Sequence, residues 1–435
     1  MTSQAFSVDQ AAAARLERRE PVVAGAWLLP AVMLVSGVLT YAFHVLAARS
    51  LGPQAYGQIA VLWAAMFLGA VVLFRPLEQT VSRAIADRLA RGQEVKTVLR
   101  SVGLISAATL AATLGAAAVG WRPISERLFL GDGTMTLLLL GGIALYGVAY
   151  LVRGLTAGAR WFGGYALALV ADAVARLAVA SPLVFFASQK TAAAAVVAAG
   201  AGGALAPIWF GRRRLRSVVD GRAGSPFRLG SALAFAAPAS VIAGADQLLV
   251  NGGPLLVVAG GGRDASRVAG VVFAATMLVR VPVYVFQGLA ASLLPNLTHL
   301  QACADGARFR RAVVQTAAVL LAAGGLIVGF AAAVGPQAMG LLYGSGFAAS
   351  RAELSFLGAG VGCYLAAATF SQALLAMDCG VRAAAAWLTS AALFVGMYAL
   401  LPGDPLARIS QAFALAALAG VALLATILLA RIAER

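Results

Sequence analysis

Apolar runs long enough to cross a bilayer recur along the whole chain and leave little room for anything else. A transmembrane helix needs about 20 mainly apolar residues. Runs of that order lie at 22–48, 57–75, 98–120, 133–155, 164–187 and 190–211. After a polar stretch they resume at 229–260, 266–298, 312–332, 352–377, 382–402 and 407–430. They are continuous rather than alternating, which argues for helices and against a closed barrel. Of 435 residues, 61% are hydrophobic and only 11% charged. A soluble domain carries about 25% charged residues. The expectation is an all-α integral membrane protein of about 12 transmembrane helices. The first run exceeds the 7–15 residues of a signal-peptide core and reads as an uncleaved span.

Arginine placement orients the spans, because Lys and Arg gather on the cytoplasmic side. With the N-terminus inside, 23 of the 33 basic residues fall on inner segments and 8 on outer ones, with Arg176 and Arg280 inside spans. Both termini are then cytoplasmic. The formal charge of +16 is spread through short loops, and no soluble basic domain exists to hold a nucleic acid. Only two of the basic residues are lysines, Lys96 and Lys190, which with the abundant Ala and Gly suggests a GC-rich bacterial genome and an inner-membrane location.

The strongest interruption is GRRRLRSVVDGRAGSPFR at 211–228. It divides a cytoplasmic tail (1–21) and a first lobe of helices 1–6 (22–211) from a second lobe of helices 7–12 (229–435), with 212–228 as a basic cytoplasmic linker. Two six-helix lobes around a central cavity form a layout known among transporters. The RRRLR cluster suits anionic lipid headgroups. Between the first two runs, Gly52-Pro53 marks a tight turn, with Tyr56 suited to the interface belt. The run 229–260 would be about 48 Å long as one helix. It must tilt, bend or break, and NGGP at 251–254 is where a break would fall.

Charges at membrane depth cost at least ~2.5–3.5 kcal/mol each and mark pathways or pairs. Asp172 and Arg176 are four residues apart and share a helix face. They either pair locally or face a cavity. Asp246 and Asn251 lie deep in the seventh run and Arg280 in the eighth. Asp246 either pairs with Arg280 or holds a coupling cation. Arg75 and Glu78 close the second run, as guards of a cavity mouth or as interfacial anchors.

Cys303, Cys363 and Cys379 show no metal or redox spacing, and no nucleotide-binding or hydrolase motif is present. No cofactor, metal site or catalytic set is expected. Glu126 and Asp132 form an outer carboxylate pair that reads as solvated loop charges.

Three stretches carry a family resemblance. ARSLGPQAYGQIAVL, beginning at Ala48, resembles the R-x-L-G-P-x-x-Y/F-G turn of polysaccharide-biosynthesis membrane proteins. These are Wzx-type lipid-linked oligosaccharide flippases of the multidrug/oligosaccharidyl-lipid/polysaccharide exporter superfamily. RGLTAGARWFGGYALALVADAVARLAVA (153–180) resembles the start of that family's fifth span. AGVVFAATMLVRVPVYVFQGLAASLLPNLTHL (269–300) is similar to its eighth span and to that of the lipid II flippases. The resemblance implies alternating access and transfer of a polyprenyl-diphosphate-linked glycan to the outer leaflet, beside polysaccharide polymerase or glycosyltransferases. It implies a cavity-facing role for Arg280. Arg176 and Arg75 are further candidates for the diphosphate, since guanidinium binds such anions bidentately. Asp246, Asp172 and Asn251 are candidates for ion coupling or charge pairing. Competing readings are a lipid II flippase, a cation-coupled drug antiporter, a membrane glycan polymerase and a non-transporting scaffold.

Overall fold

The computed structural model describes residues 22–219, 229–262, 264–280 and 306–433. Among these residues there is no β-strand. The expected tail 1–21 and residues 281–298 of the eighth run lie outside them, Tyr284 and both of that run's prolines included. In lipid every backbone polar group must be satisfied within the segment, which is why apolar runs of this length become helices.

Helix α1, Val22–Ala90, is a single 69-residue element bent at Gly52, where φ is 70° and ψ is 172°. A side chain at positive φ costs about 1–2 kcal/mol, so glycine is the residue that turns the chain here. Pro53 opens the second arm, where its missing N–H and fixed φ suit a helix start. The expected turn is present. The second arm runs from 53 to 90, well past the expected end at 75. Arg75 and Glu78 therefore lie inside a helix rather than closing one.

The rest of the first half comprises α2 (Lys96–Val119), α3 (Trp121–Phe129), α4 (Gly133–Gly158), α5 (Phe162–Ala180) and α6 (Gln189–Val219). Asp132 is the N-cap of α4, accepting from the backbone N–H groups of Thr134 (2.8 Å) and Met135 (3.3 Å). This corrects its reading as a solvated loop charge. The first residues of the expected linker are also helical. Helix α6 carries Arg212, Arg213, Arg214 and Arg216 on its last turns, while 220–228 lie outside the described residues.

The second half comprises α7 (Leu229–Asn251), α8 (Gly253–Gly260), α9 (Ala265–Val279), α10 (Gly306–Tyr343), α11 (Arg351–Ala376), α12 (Gly380–Leu400) and α13 (Pro405–Ala433). Helices α7 and α8 meet at a 69° bend, the break expected at NGGP. Among the described residues, nine helices are long and apolar enough to span a membrane, or ten if this bent pair is one span. The expected twelve is reached only by dividing α1 at Gly52 and by completing α9 with residues outside the description.

With lipid on the outside, helices associate through close backbone approach at small residues. A Cβ on Gly154 or Gly158 of α4 would lie 2.7 Å from the Glu78 carbonyl oxygen or 2.6 Å from that of Ser82. The α4 backbone is thus pressed against the second arm of α1, which sets how α4 residues face Arg75 and Glu78.

Candidate functional site

At the Gly52 end the two halves are in backbone contact. Gly57 of α1 lies so close to α9 that a Cβ there would fall 1.6 Å from the Ser266 carbonyl oxygen. A Cβ on Gly270 would lie 2.3 Å from the Pro53 carbonyl oxygen. Arg49 reaches across the halves and donates from Nε to the Leu342 carbonyl (3.0 Å) and from Nη2 to the Leu341 carbonyl (2.6 Å). These carbonyls belong to the last turn of α10, where helix acceptors lack backbone donors and a cation is favoured. Tyr56 is fully buried beneath this seam. Its ring meets Phe347 of the second half at 5.7 Å, and its hydroxyl lies 3.2 Å from His44 Nδ1. It is a packing residue of the seam, not a member of an interface belt.

His44 is also fully buried, edge-on to Trp63 (4.5 Å) and Phe273 (5.1 Å). Below it sits Arg176, 2% exposed. Its guanidinium donates to Thr40 Oγ1 (2.8 Å), the Tyr146 hydroxyl (3.1 Å) and Asp172 Oδ1 (2.5 Å), and lies 4.8 Å from the Trp63 ring centre. Three helices of the first half, α1, α4 and α5, converge on this one side chain. Asp172 and Arg176 are brought together as a local pair, so neither is offered to a cavity as a bare charge.

The second half holds a hydrogen-bonded chain. Arg280 Nη1 donates to Asn251 Oδ1 (3.0 Å), Asn251 Nδ2 to Gln247 Oε1 (2.7 Å), and Gln247 Nε2 to Asp246 Oδ2 (3.1 Å). The Tyr364 hydroxyl closes the chain on Asp246 Oδ1. Arg280 also donates to the Val250 carbonyl at 3.1 Å. That carbonyl would take its helical bond from residue 254, which is proline and has no N–H. Arg280 supplies the donor that the break removes, the condition under which a broken helix is tolerated in a membrane. It is 8% exposed, a strut of the α7–α8 break. Asp246 is half-buried and makes no ion pair with Arg280 among the described residues.

Nearer the opposite end, marked by Trp161, Arg75 is exposed. Tyr150, Glu78 and Tyr165 of the first half and Asp246 of the second act on it electrostatically. Tyr165 donates to Glu78 Oε1 at 3.2 Å. Among the described residues, no group of three His, Cys, Asp or Glu side chains is placed to hold a metal ion.

The residues that sequence reasoning passed over are Thr40, Tyr146, Gln247, Tyr364, Arg153 and Tyr165. The four-residue spacing of Gln247 and Asn251 was legible as a shared face. So was the missing donor at Pro254. Nothing local ties Tyr364 to Asp246 or Thr40 to Arg176, which are 118 and 136 positions apart.

No protein-family model matches the chain. Uncharacterized proteins of Mycobacterium tuberculosis (strain ATCC 25618 / H37Rv) and Mycobacterium bovis (strain ATCC BAA-935 / AF2122/97) are each 26% identical over 329 residues, covering 74% of this chain and 73% of theirs. Among solved structures, the inward-facing conformation of a multidrug resistance MATE family transporter of the MOP superfamily superposes with a TM-score of 0.71 at 16% identity, over 94% of this chain and 98% of that one. The outward-facing conformation of such a transporter gives 0.66 at 16% identity, over 94% and 96%. A MATE structure in the bent conformation gives 0.65 at 14% identity, over 94% and 98%. The chain thus has the two-lobed, all-helical fold of the MATE transporters.

Proposed function

We propose that this chain is an alternating-access membrane transporter of the bacterial inner membrane. Its cargo is a polyprenyl-diphosphate-linked oligosaccharide, moved from the inner to the outer leaflet for surface or exopolysaccharide synthesis. The observation that carries the reading is the seam at the Gly52 end, with an exposed arginine, Arg75, below it. A fold closed at one end, with an exposed arginine toward the other, suits an anionic headgroup approaching from that side. On the arginine count the Gly52 end is extracytoplasmic. The cationic turns of α6 at the Trp161 end then meet anionic lipid headgroups of the inner leaflet. The geometry resembles an inward-facing state, consistent with the superposition on an inward-facing transporter.

Arg75 is the residue to perturb, because Arg280 and Arg176 support the fold and their loss would confound transport with folding. Deletion of the gene is expected to accumulate a lipid-linked saccharide on the inner leaflet and to abolish the surface polymer. An Arg75→Gln allele expressed at wild-type level should fail to restore it. Unchanged lipid intermediates and surface glycan would sink this reading.

A second reading, a cation-coupled drug antiporter, is favoured by one feature. Asp246 is a half-buried carboxylate held by neutral donors, Tyr364 and Gln247, and such a group suits a coupling cation or a cationic cargo. Efflux assays with cationic dyes separate the two readings.

A further inference from the structure

The turn between α4 and α5 places an arginine where the backbone favours glycine. Helix α4 ends at Gly158 with Ala159 as its C-cap. The Arg160 N–H donates to the Ala157 carbonyl (3.0 Å) and the Trp161 N–H to the Thr156 carbonyl (2.8 Å). That pattern holds residue 160 in the left-handed region, at φ 53°, a position glycine commonly fills because a Cβ is crowded there. The Arg160 side chain is exposed and makes no hydrogen bond or ion pair among the described residues. No contact within the fold offsets the crowding.

The next residue ties this turn to the end of α6. The Trp161 ring is wedged between two glycines, so that a Cβ on Gly164 would lie 2.4 Å from it and one on Gly211 2.0 Å. Arg214 Cζ lies 5.6 Å from the centre of the same ring. Arg160 and Arg212 therefore leave from the two chain segments that this ring joins. Arg212 Cζ lies 5.7 Å from the ring centre of Trp209, and Trp209 is 69% exposed. Leu205, Ile208 and Phe210 are exposed on the same end of α6. In a membrane such apolar surface is covered by acyl chains, and guanidinium groups at its edge reach the headgroups.

Carboxylates are sparse around this end. Between Asp132 and Asp220, the latter outside the described residues, the sequence holds one, Asp172. It lies about 15 Å into α5 and is engaged by Arg176. Glu78, from α1, accepts from Tyr165. Arg160, Arg212 and Arg213 are all exposed, and none of the three forms an ion pair among the described residues.

We propose that Arg160, Arg212 and Arg213, with Trp161 and Trp209, form a binding site for an anionic phospholipid headgroup, its acyl chains lying along α6. The site holds a resident lipid and not cargo, so it goes beyond the transport reading. It rests on that reading only for its side of the membrane, the cytoplasmic leaflet, where anionic lipids attract such clusters.

The test uses the full chain in detergent, titrated with phosphatidylglycerol or phosphatidylcholine, with retained lipid counted by native mass spectrometry. Wild-type protein should retain phosphatidylglycerol in preference. One arginine beside an anionic headgroup contributes about five-fold. Arg160→Gly, Arg212→Gln and Arg213→Gln should each cut the preference by that factor, and the triple variant should abolish it. Arg160→Lys should keep most of it. Glycine relieves the crowding at 160, so Arg160→Gly should unfold at or above the wild-type midpoint in phosphatidylcholine. A purely structural arginine would not lose lipid while keeping stability. Arg351→Gln, at the opposite end, should leave the preference unchanged. Equal retention of the two lipids by wild type, or a preference that survives in the triple variant, overturns the site. Displacement of phosphatidylglycerol by an equal concentration of glycerol 3-phosphate would overturn a lipid as the occupant. The deletion phenotype judges transport separately, so the two readings fail independently.

Discussion

At the scale of single residues, the decisive matter is which charges are already occupied. Arg176 shares its donors among Thr40, Tyr146 and Asp172. Removing one partner of a buried pair strands the other, at a cost of about 3–5 kcal/mol. Arg176→Gln is therefore expected to lower the unfolding midpoint in mixed micelles substantially. Adding Asp172→Asn should return part of that loss, because the stranded carboxylate is gone. If the double variant is no more stable than the single, Asp172 is not what the missing guanidinium leaves exposed. The four-residue spacing of Asp172 and Arg176 announced this pair. Thr40 and Tyr146 were not legible, because each comes from a different helix and meets Arg176 only when three helices pack.

At the scale of elements, closure depends on two glycines facing each other across the halves. Gly57 and Gly270 are ordinary helical positions in sequence, and their role lies in the helix opposite. With the Ser266 carbonyl oxygen 1.6 Å from a Cβ at Gly57, Gly57→Val cannot be accommodated without separating α1 from α9. A cysteine replacing Phe347, which is 3% exposed, should react slowly with an external maleimide in an otherwise wild-type chain. It should react at least several-fold faster in the Gly57→Val background. Equal rates would mean the seam yields elsewhere. The α7–α8 break shows the opposite case, since Pro254 and the two glycines before it stated the break in advance. Its repair by Arg280, 30 positions from Val250, was visible only in three dimensions.

At the scale of the whole molecule, the seam should govern the cycle. A Cβ at Gly346 would lie 3.1 Å from the Pro53 ring. Cysteines at these two positions, with Cys303, Cys363 and Cys379 replaced by alanine, are expected to cross-link under mild oxidation. The cross-linked protein should not support surface-polymer synthesis, and reduction should restore it. Transport that continues through the locked seam would exclude opening at this end.

The sequence by itself determined that the chain is helical, membrane-embedded and turned at Gly52. Each follows from local physics: apolar length against bilayer thickness, unsatisfied backbone in lipid, and the conformational freedom of one glycine. It also placed the charges at depth. The tertiary structure decided which of those charges are struts and which stand open. A guanidinium's partners are set by where other helices bring hydroxyls, carbonyls and rings, and that arrangement has no period along the chain. Hence Arg280 repairs a helix and Arg176 is caged. Arg153, counted from sequence among the inner-side charges, lies within α4 with its Nε and Nη2 buried.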